Sequence, residues 1–289
     1  VPPATLWARR GLAVAAIVGV VAVAGFVASK VIDRLGGDDA PAAQPAKPQK
    51  TSKITIPEGL TRQQVAELAK EAGIKGDYAQ ASKSFKGFDP GKYGARDAPS
   101  LEGFLFPSTW DDLPKKPNVD DLISRQLDAF EANLAEVDLS YAKSKNLNVY
   151  DVLKIASMIE EEIQVPEERE LAAAVIYNRL KAGDTLGIDA TIRYYLDNYD
   201  EQLTESELAD PHPYNSRIVP GLPPTPIANP GLDSIEAAAN PARSDAYYFV
   251  VKPGTCGEHV FVETEEEFAQ AEASYQEALQ SQGNSPTEC

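Results

Sequence analysis

Residues 11–29, GLAVAAIVGVVAVAGFVAS, run for 19 positions without a charge. As a helix rising 1.5 Å per residue, the run would reach roughly 28 Å, about the thickness of a hydrocarbon core. Nothing else in the chain limits the architecture as strongly. Arg9 and Arg10 precede the run, while Lys30 and Arg34 beyond it are offset by Asp33, Asp38 and Asp39. That asymmetry favours a cytoplasmic N-terminus. The expected order is a cytoplasmic stub at 1–10, a single membrane helix at 11–29 and a domain on the far side. A cleaved signal peptide is the alternative, disfavoured because the run outlasts an apolar region of roughly 7–15 residues and Val-Ala-Ser-Lys is a weak cleavage site.

The next stretch, GGDDAPAAQPAKPQKTS at 36–52, mixes Gly, Pro, Ala and charge without period. It reads as the body of a flexible linker covering 30–53, with a coil reach of roughly 20–25 Å. Whatever follows is held near the membrane surface. The remainder is long and apolar enough to bury a core. Its formal charge of −17 excludes sequence-independent nucleic-acid binding, which needs a basic surface to displace counterions. Cys256 and Cys289 are the chain's two cysteines, and in an oxidising compartment they could pair or remain unrelated thiols.

Pattern places a short strand at 53–56 and a helix at 62–72 with Thr61 as N-cap and Gly73 as its stop. A Gly- and Pro-rich loop follows over 82–100. The aromatic-dense segment 101–110 could pack in the core or offer a platform for a sugar, core packing being favoured. Helical spacing of Val119, Leu122, Ile123, Leu127, Phe130 and Leu134 predicts a long amphipathic helix over 118–136. Two more helices are expected at 150–163 and from Pro166 to 182, closed by Gly183. Beyond a proline-rich stretch, the reading is a short helix at 234–239, a β-hairpin of 247–251 with 259–262, and a closing helix at 265–280. Helices and strands are segregated, so the fold class is α+β. The boundaries are 54–115 for an N-terminal part and 116–289 for the main body.

Within 150–163 the chain reads Met158-Ile159-Glu160-Glu161-Glu162-Ile163. At about 100° per residue from Val152, Ile159 and Ile163 fall within roughly 20°, marking the buried stripe. Glu161 falls at about 180°, on what should be a solvated face, and Glu160 at about 80°, a boundary. Glu162 falls at about 280°, between Ile155 and Met158. It has the most apolar flank of the three, and burial raises a carboxyl pKa as a general acid near neutral pH requires. An ordinary boundary glutamate is the plain alternative. Other chemistries lack their signatures: no phosphate loop, no Gly-x-Ser-x-Gly elbow and no His-Glu-x-x-His helix. With His212 and His259 the only histidines, a metal site is not expected, and no cofactor is.

The segment Ala156-Ser157-Met158-Ile159-Glu160-Glu161-Glu162, followed by Glu168-Arg169 and Val175-Ile176-Tyr177-Asn178-Arg179-Leu180, resembles the bacterial MltG (YceG-like) endolytic murein transglycosylases. Collinear matches include Leu101-Glu102-Gly103 with Phe106-Pro107, Asp189-Ala190-Thr191, Tyr214-Asn215, Gly221-Leu222-Pro223-Pro224, Ala239-Asn240-Pro241-Ala242, Tyr248-Phe249 and His259-Val260-Phe261. The resemblance spans about 54–267. It implies a catalytic domain in which Glu162, the last glutamate of the motif, is the acid, and Glu160, Asp189, Thr191, Tyr214, Asn215 and His259 are substrate-binding. For these six a folding role is the alternative. It further implies peptidoglycan glycan strands as substrate, a bacterial cell-membrane location and peptidoglycan synthases and division proteins as partners. The expected reaction cleaves the β-1,4 bond between N-acetylmuramic acid and N-acetylglucosamine and leaves a 1,6-anhydro end. A hydrolytic muramidase and a non-catalytic tethered scaffold are the other readings. The chain departs from the family at Ala190, where Pro is usual, at Ile163, where Thr is usual, and in having only a linker where many members carry a LysM-like module.

Overall fold

A computed structural model of the chain describes residues 52–282. The expected stub, membrane helix, most of the linker and Cys289 lie outside the described residues, and with them the expected cysteine pairing. Among the described residues no helix is long and apolar enough to cross a membrane.

Strand β1 (Ser52–Ile56) pairs antiparallel with β2 (Ser108–Leu113), Ile54 facing Trp110 and Ile56 facing Ser108. Between them, α1 (Arg62–Glu71) starts at Thr61 with a capping box closed by Gln64. A short α2 (Tyr78–Ala81) follows. The long helix α3 (Val119–Leu134) is capped by Asn118, and α4 (Ser140–Ser144) is a single turn. Then come α5 (Val149–Glu162), α6 (Arg169–Ala182), α7 (Asp189–Leu196), α8 (Glu205–Leu208) and α9 (Leu232–Ala239). Strands β3 (Tyr248–Val251) and β4 (His259–Val262) form a separate two-stranded hairpin, and α10 (Glu265–Gln282) packs on it. The α+β class, the hairpin and the stops at Gly73 and Gly183, both with positive φ, follow the sequence reading. Strand β2, helix α7 and the short helices α2, α4 and α8 do not.

Helix α5 is the centre of the fold. It packs against α6, α7 and α9, and Val152, Leu153, Ile155, Ala156, Ser157 and Met158 are all fully buried. Those positions go all the way round the helix, so it has no fully solvated face. The expectation for Glu161 is therefore corrected: its carboxyl is half-buried, with Oε1 close beneath Gly59. A stripe argument assumes that one side meets water, and here both sides are covered. The aromatic question resolves toward packing: Phe104 is fully buried, stacked on Tyr150 at 5.6 Å and edge-on to Phe130 at 5.2 Å.

Candidate active site

Asn148 caps α5 by accepting the Asp151 N–H, and the helix runs until Ile163 turns to extended geometry. That stop makes Glu162 the last helical residue. Its carboxyl lines a cleft of about 370 Å³, walled by the loop at 185–187, the first turn of α7 and strand β3. Burial pushes the Glu162 carboxyl above its usual range; the Ala190 N–H, donated to Oε1 at 3.1 Å, pulls it down, Asp189 pushes up, and Arg193 and Arg217 pull down. The C-terminal end of α5 also disfavours a negative charge there. The site thus holds a carboxyl that keeps its proton longer than a surface glutamate, in contact with a backbone donor that can stabilise the carboxylate once the proton leaves.

Asp189 and His259 line the same cleft. The Arg217 guanidinium donates to both Asp189 oxygens, Nε to Oδ1 at 2.5 Å and Nη2 to Oδ2 at 3.1 Å. This fork-shaped pair neutralises the second carboxylate of the cleft. The His259 N–H donates to Glu168 at 3.0 and 3.1 Å, and His259 Nδ1 lies 2.9 Å from Glu168 Oε2, which fixes the ring.

The other expected residues are placed elsewhere. Glu160 accepts the Gly231 N–H at 2.9 Å and pairs with Arg169 at 3.5 Å, anchoring the start of α9. Thr191 is fully buried, donating to the Ile188 carbonyl at 2.6 Å and meeting the Ser216 hydroxyl at 3.0 Å. Asn215, also fully buried, donates to the Leu208 and Asp210 carbonyls and accepts the Arg217 N–H. Tyr214 shares a hydrogen bond with Thr225 at 2.8 Å and packs against Tyr194. The structure does not bring these four side chains to the cleft. Thr191 and Asn215 instead set the loop that carries Arg217 against the start of α7.

Arg217, Arg179, Glu168 and Tyr248 are cleft or support residues that the sequence reading gave no role. Arg179 donates Nε to the Tyr247 carbonyl at 2.7 Å and Nη1 to the Thr185 and Leu186 carbonyls, each at 3.2 Å, with Tyr248 stacked 4.8 Å away. An arginine on a helix gives no hint in sequence of which carbonyls it will reach. Glu168, Arg179 and Tyr248 did stand within the matched segments. Among the described residues no group of three or more His, Cys, Asp or Glu is arranged to hold a metal ion.

Comparison with known proteins follows the same lines. The YceG-like family profile matches residues 26–274. An endolytic murein transglycosylase of Bacillus subtilis (strain 168) is 35% identical over 175 residues, covering 61% of this chain and 48% of that protein. The endolytic murein transglycosylase of Streptococcus pneumoniae serotype 2 (strain D39 / NCTC 7466) is 33% identical over 243 residues, covering 74% of this chain and 42% of that one. The chain thus spans less than half the length of these two relatives. A crystal structure of a yceG-like protein from Listeria monocytogenes superposes with a TM-score of 0.66 at 29% identity, covering 76% of this chain and 75% of the other.

Proposed function

The chain belongs to the YceG-like family, and from that premise we propose that it is a lytic transglycosylase that cuts inside peptidoglycan glycan strands, with Glu162 as its acid. Glu162 gives its proton to the glycosidic oxygen between N-acetylmuramic acid and N-acetylglucosamine. The resulting carboxylate, held by the Ala190 N–H, takes the proton of the muramic 6-hydroxyl as that oxygen closes on its own anomeric carbon. The products are a 1,6-anhydro end and a new 4-hydroxyl, and no water is consumed. Asp189 and His259 fit as groups that orient sugar substituents along the cleft.

The observation that carries this reading is the inequality of the two carboxyls lining the cleft. Asp189 is locked in a bidentate pair with Arg217, whereas Glu162 keeps a raised affinity for its proton. Ordinary glycosidases need the second carboxylate as a nucleophile or as a base for water. A site with one available carboxyl suits intramolecular attack. Glu162→Gln should leave the fold intact, as read by circular dichroism, and abolish release of fragments from purified peptidoglycan; cleavage at the wild-type rate would remove Glu162 from the mechanism.

The uncharged run at 11–29 supports a single membrane anchor with the catalytic domain outside the cytoplasm. A linker with a coil reach of roughly 20–25 Å would hold the domain near that surface. The enzyme would then end nascent glycan strands near their site of synthesis, beside the synthases and division proteins that work there.

A further inference from the structure

Four consecutive residues of β3, Tyr248 to Val251, line the cleft that holds Glu162. The hairpin has two strands, so β3 has no strand partner on its other edge among the described residues. Which backbone groups point to that edge follows from the register. Lys252 N–H bonds to the Glu258 carbonyl at 2.8 Å, and Val251 faces His259. In an antiparallel ladder bonded and non-bonded pairs alternate. Val251–His259 and Phe249–Phe261 are therefore non-bonded pairs. The same conclusion comes independently from His259, whose N–H turns away from β3 to Glu168. The outer edge of β4 is thus engaged at Glu168, whereas Phe249 and Val251 direct their N–H and C=O groups away from β4, along the edge of β3.

Exposed edges are normally blunted by Lys, Pro, a bulge or a covering element. The sequence Tyr-Phe-Val-Val has no charge and no Pro, and α10, which packs on this strand, meets it through Phe268, stacked on Tyr248 at 5.0 Å and lining the same cleft. Across the cleft stands the backbone of residues 185–187, tied to the β3 side through Arg179, which bonds the Thr185, Leu186 and Tyr247 carbonyls. The walls are thus held at a fixed separation, with an arginine in the floor.

We infer that the edge of β3 is a binding site for the peptide arm of the glycan, which docks there in extended form as an added strand beside Glu162. This rests on the transglycosylase reading, and the occupant follows from continuity with that site. The muramic sugar at the scissile bond bears the peptide, so a glycan seated against Glu162 carries a peptide into the same cleft. Strand addition draws its affinity from main-chain hydrogen bonds. It would make the enzyme prefer peptide-bearing over bare strands.

The test uses the 289-residue chain in detergent with two substrates, uncrosslinked glycan strands bearing their peptides and the same strands stripped by an amidase. Wild type should show kcat/KM roughly tenfold higher on peptide-bearing strands, about what one or two net hydrogen bonds supply. Val251→Pro removes one outward N–H without touching the ladder and should bring the ratio toward one. An unchanged ratio in the variant, or no preference in wild type, overturns the inference while leaving the transglycosylase reading standing. Cleavage of neither substrate by wild type sinks both. Should Val251→Pro fail to fold, amide hydrogen exchange in the Glu162→Gln chain decides: Phe249 and Val251 amides should gain protection with peptide-bearing fragments and not with bare ones. Equal protection by both assigns the edge to the sugar and overturns the peptide.

Discussion

Glu162 and the Asp189–Arg217 pair divide the work of the cleft between one group that holds a proton and two that fix the local field. In the proposed mechanism the Glu162 carboxyl must be protonated to act, so kcat/KM should fall as pH rises through its raised pKa. Asp189 pushes that pKa up and Arg217 pulls it down. Asp189→Asn should therefore move the alkaline limb to lower pH, and Arg217→Gln should move it to higher pH; pH profiles of the two variants check this, and movement in the same direction would refute the assigned field. Thr191→Val should act first on stability, lowering the midpoint of thermal unfolding. Its hydroxyl meets only the Ile188 carbonyl and Ser216, and removing it leaves buried partners unmatched at about 1–3 kcal/mol. The desolvated setting of Glu162 was legible in sequence because Ile155 and Met158 flank it at helical spacing. Glu161 was misread because spacing shows one buried stripe and does not show that the turn at Gly59 lies over the Glu161 carboxyl. The Asp189–Arg217 pair was not legible, since its partners are brought together only by the loop that Thr191 and Asn215 fasten.

At the scale of elements, the segments around α5 are tied together by Glu102, 2% exposed, which accepts from the Arg62 N–H, the Asn229 amide and the Tyr194 hydroxyl. It joins α1, the approach to α9 and α7. Burial pushes its pKa up from an ordinary 4.5 to about 7, against the pull of Arg62 and the hydrogen bonds. A raised folded-state pKa means that the folded protein binds the proton more tightly than the unfolded chain. The associated stability is present at pH below the ordinary value and is lost as pH rises through about 7. Denaturant unfolding should show stability declining by on the order of 3 kcal/mol across that window from this group. Glu161, pushed to about 7 by burial and by Glu160 and Glu162, adds in the same direction. A flat profile would show that these carboxyls are ionised throughout. Gly103 beside Glu102 has φ +86°, and a Cβ there would stand 2.5 Å from Pro226 Cγ. Gly103→Ala should destabilise by on the order of 3 kcal/mol or more, combining left-handed strain with overlap. Helices α1, α3, α5 and α6 were readable from caps and period. Strand β2 was not, because Ser108-Thr109-Trp110-Asp111-Asp112-Leu113 carries little alternation and pairs with β1 across more than fifty residues.

For the whole molecule, the tether and the cleft make one device if the run at 11–29 anchors the chain: the linker then sets how far from the membrane a strand is cut. Doubling the linker should lengthen the glycan strands of the wall, as measured by chromatography of stripped glycans; an unchanged distribution would separate cutting position from tether length. The central claim is that a single available carboxyl drives closure by the substrate's own 6-hydroxyl. It is tested most directly by mass spectrometry of the new ends released from uncrosslinked strands by the 289-residue chain. Muramic ends lighter than reducing ends by one water, absent with Glu162→Gln, are the predicted result. Reducing ends that incorporate oxygen from labelled water would contradict it and make the protein a hydrolase.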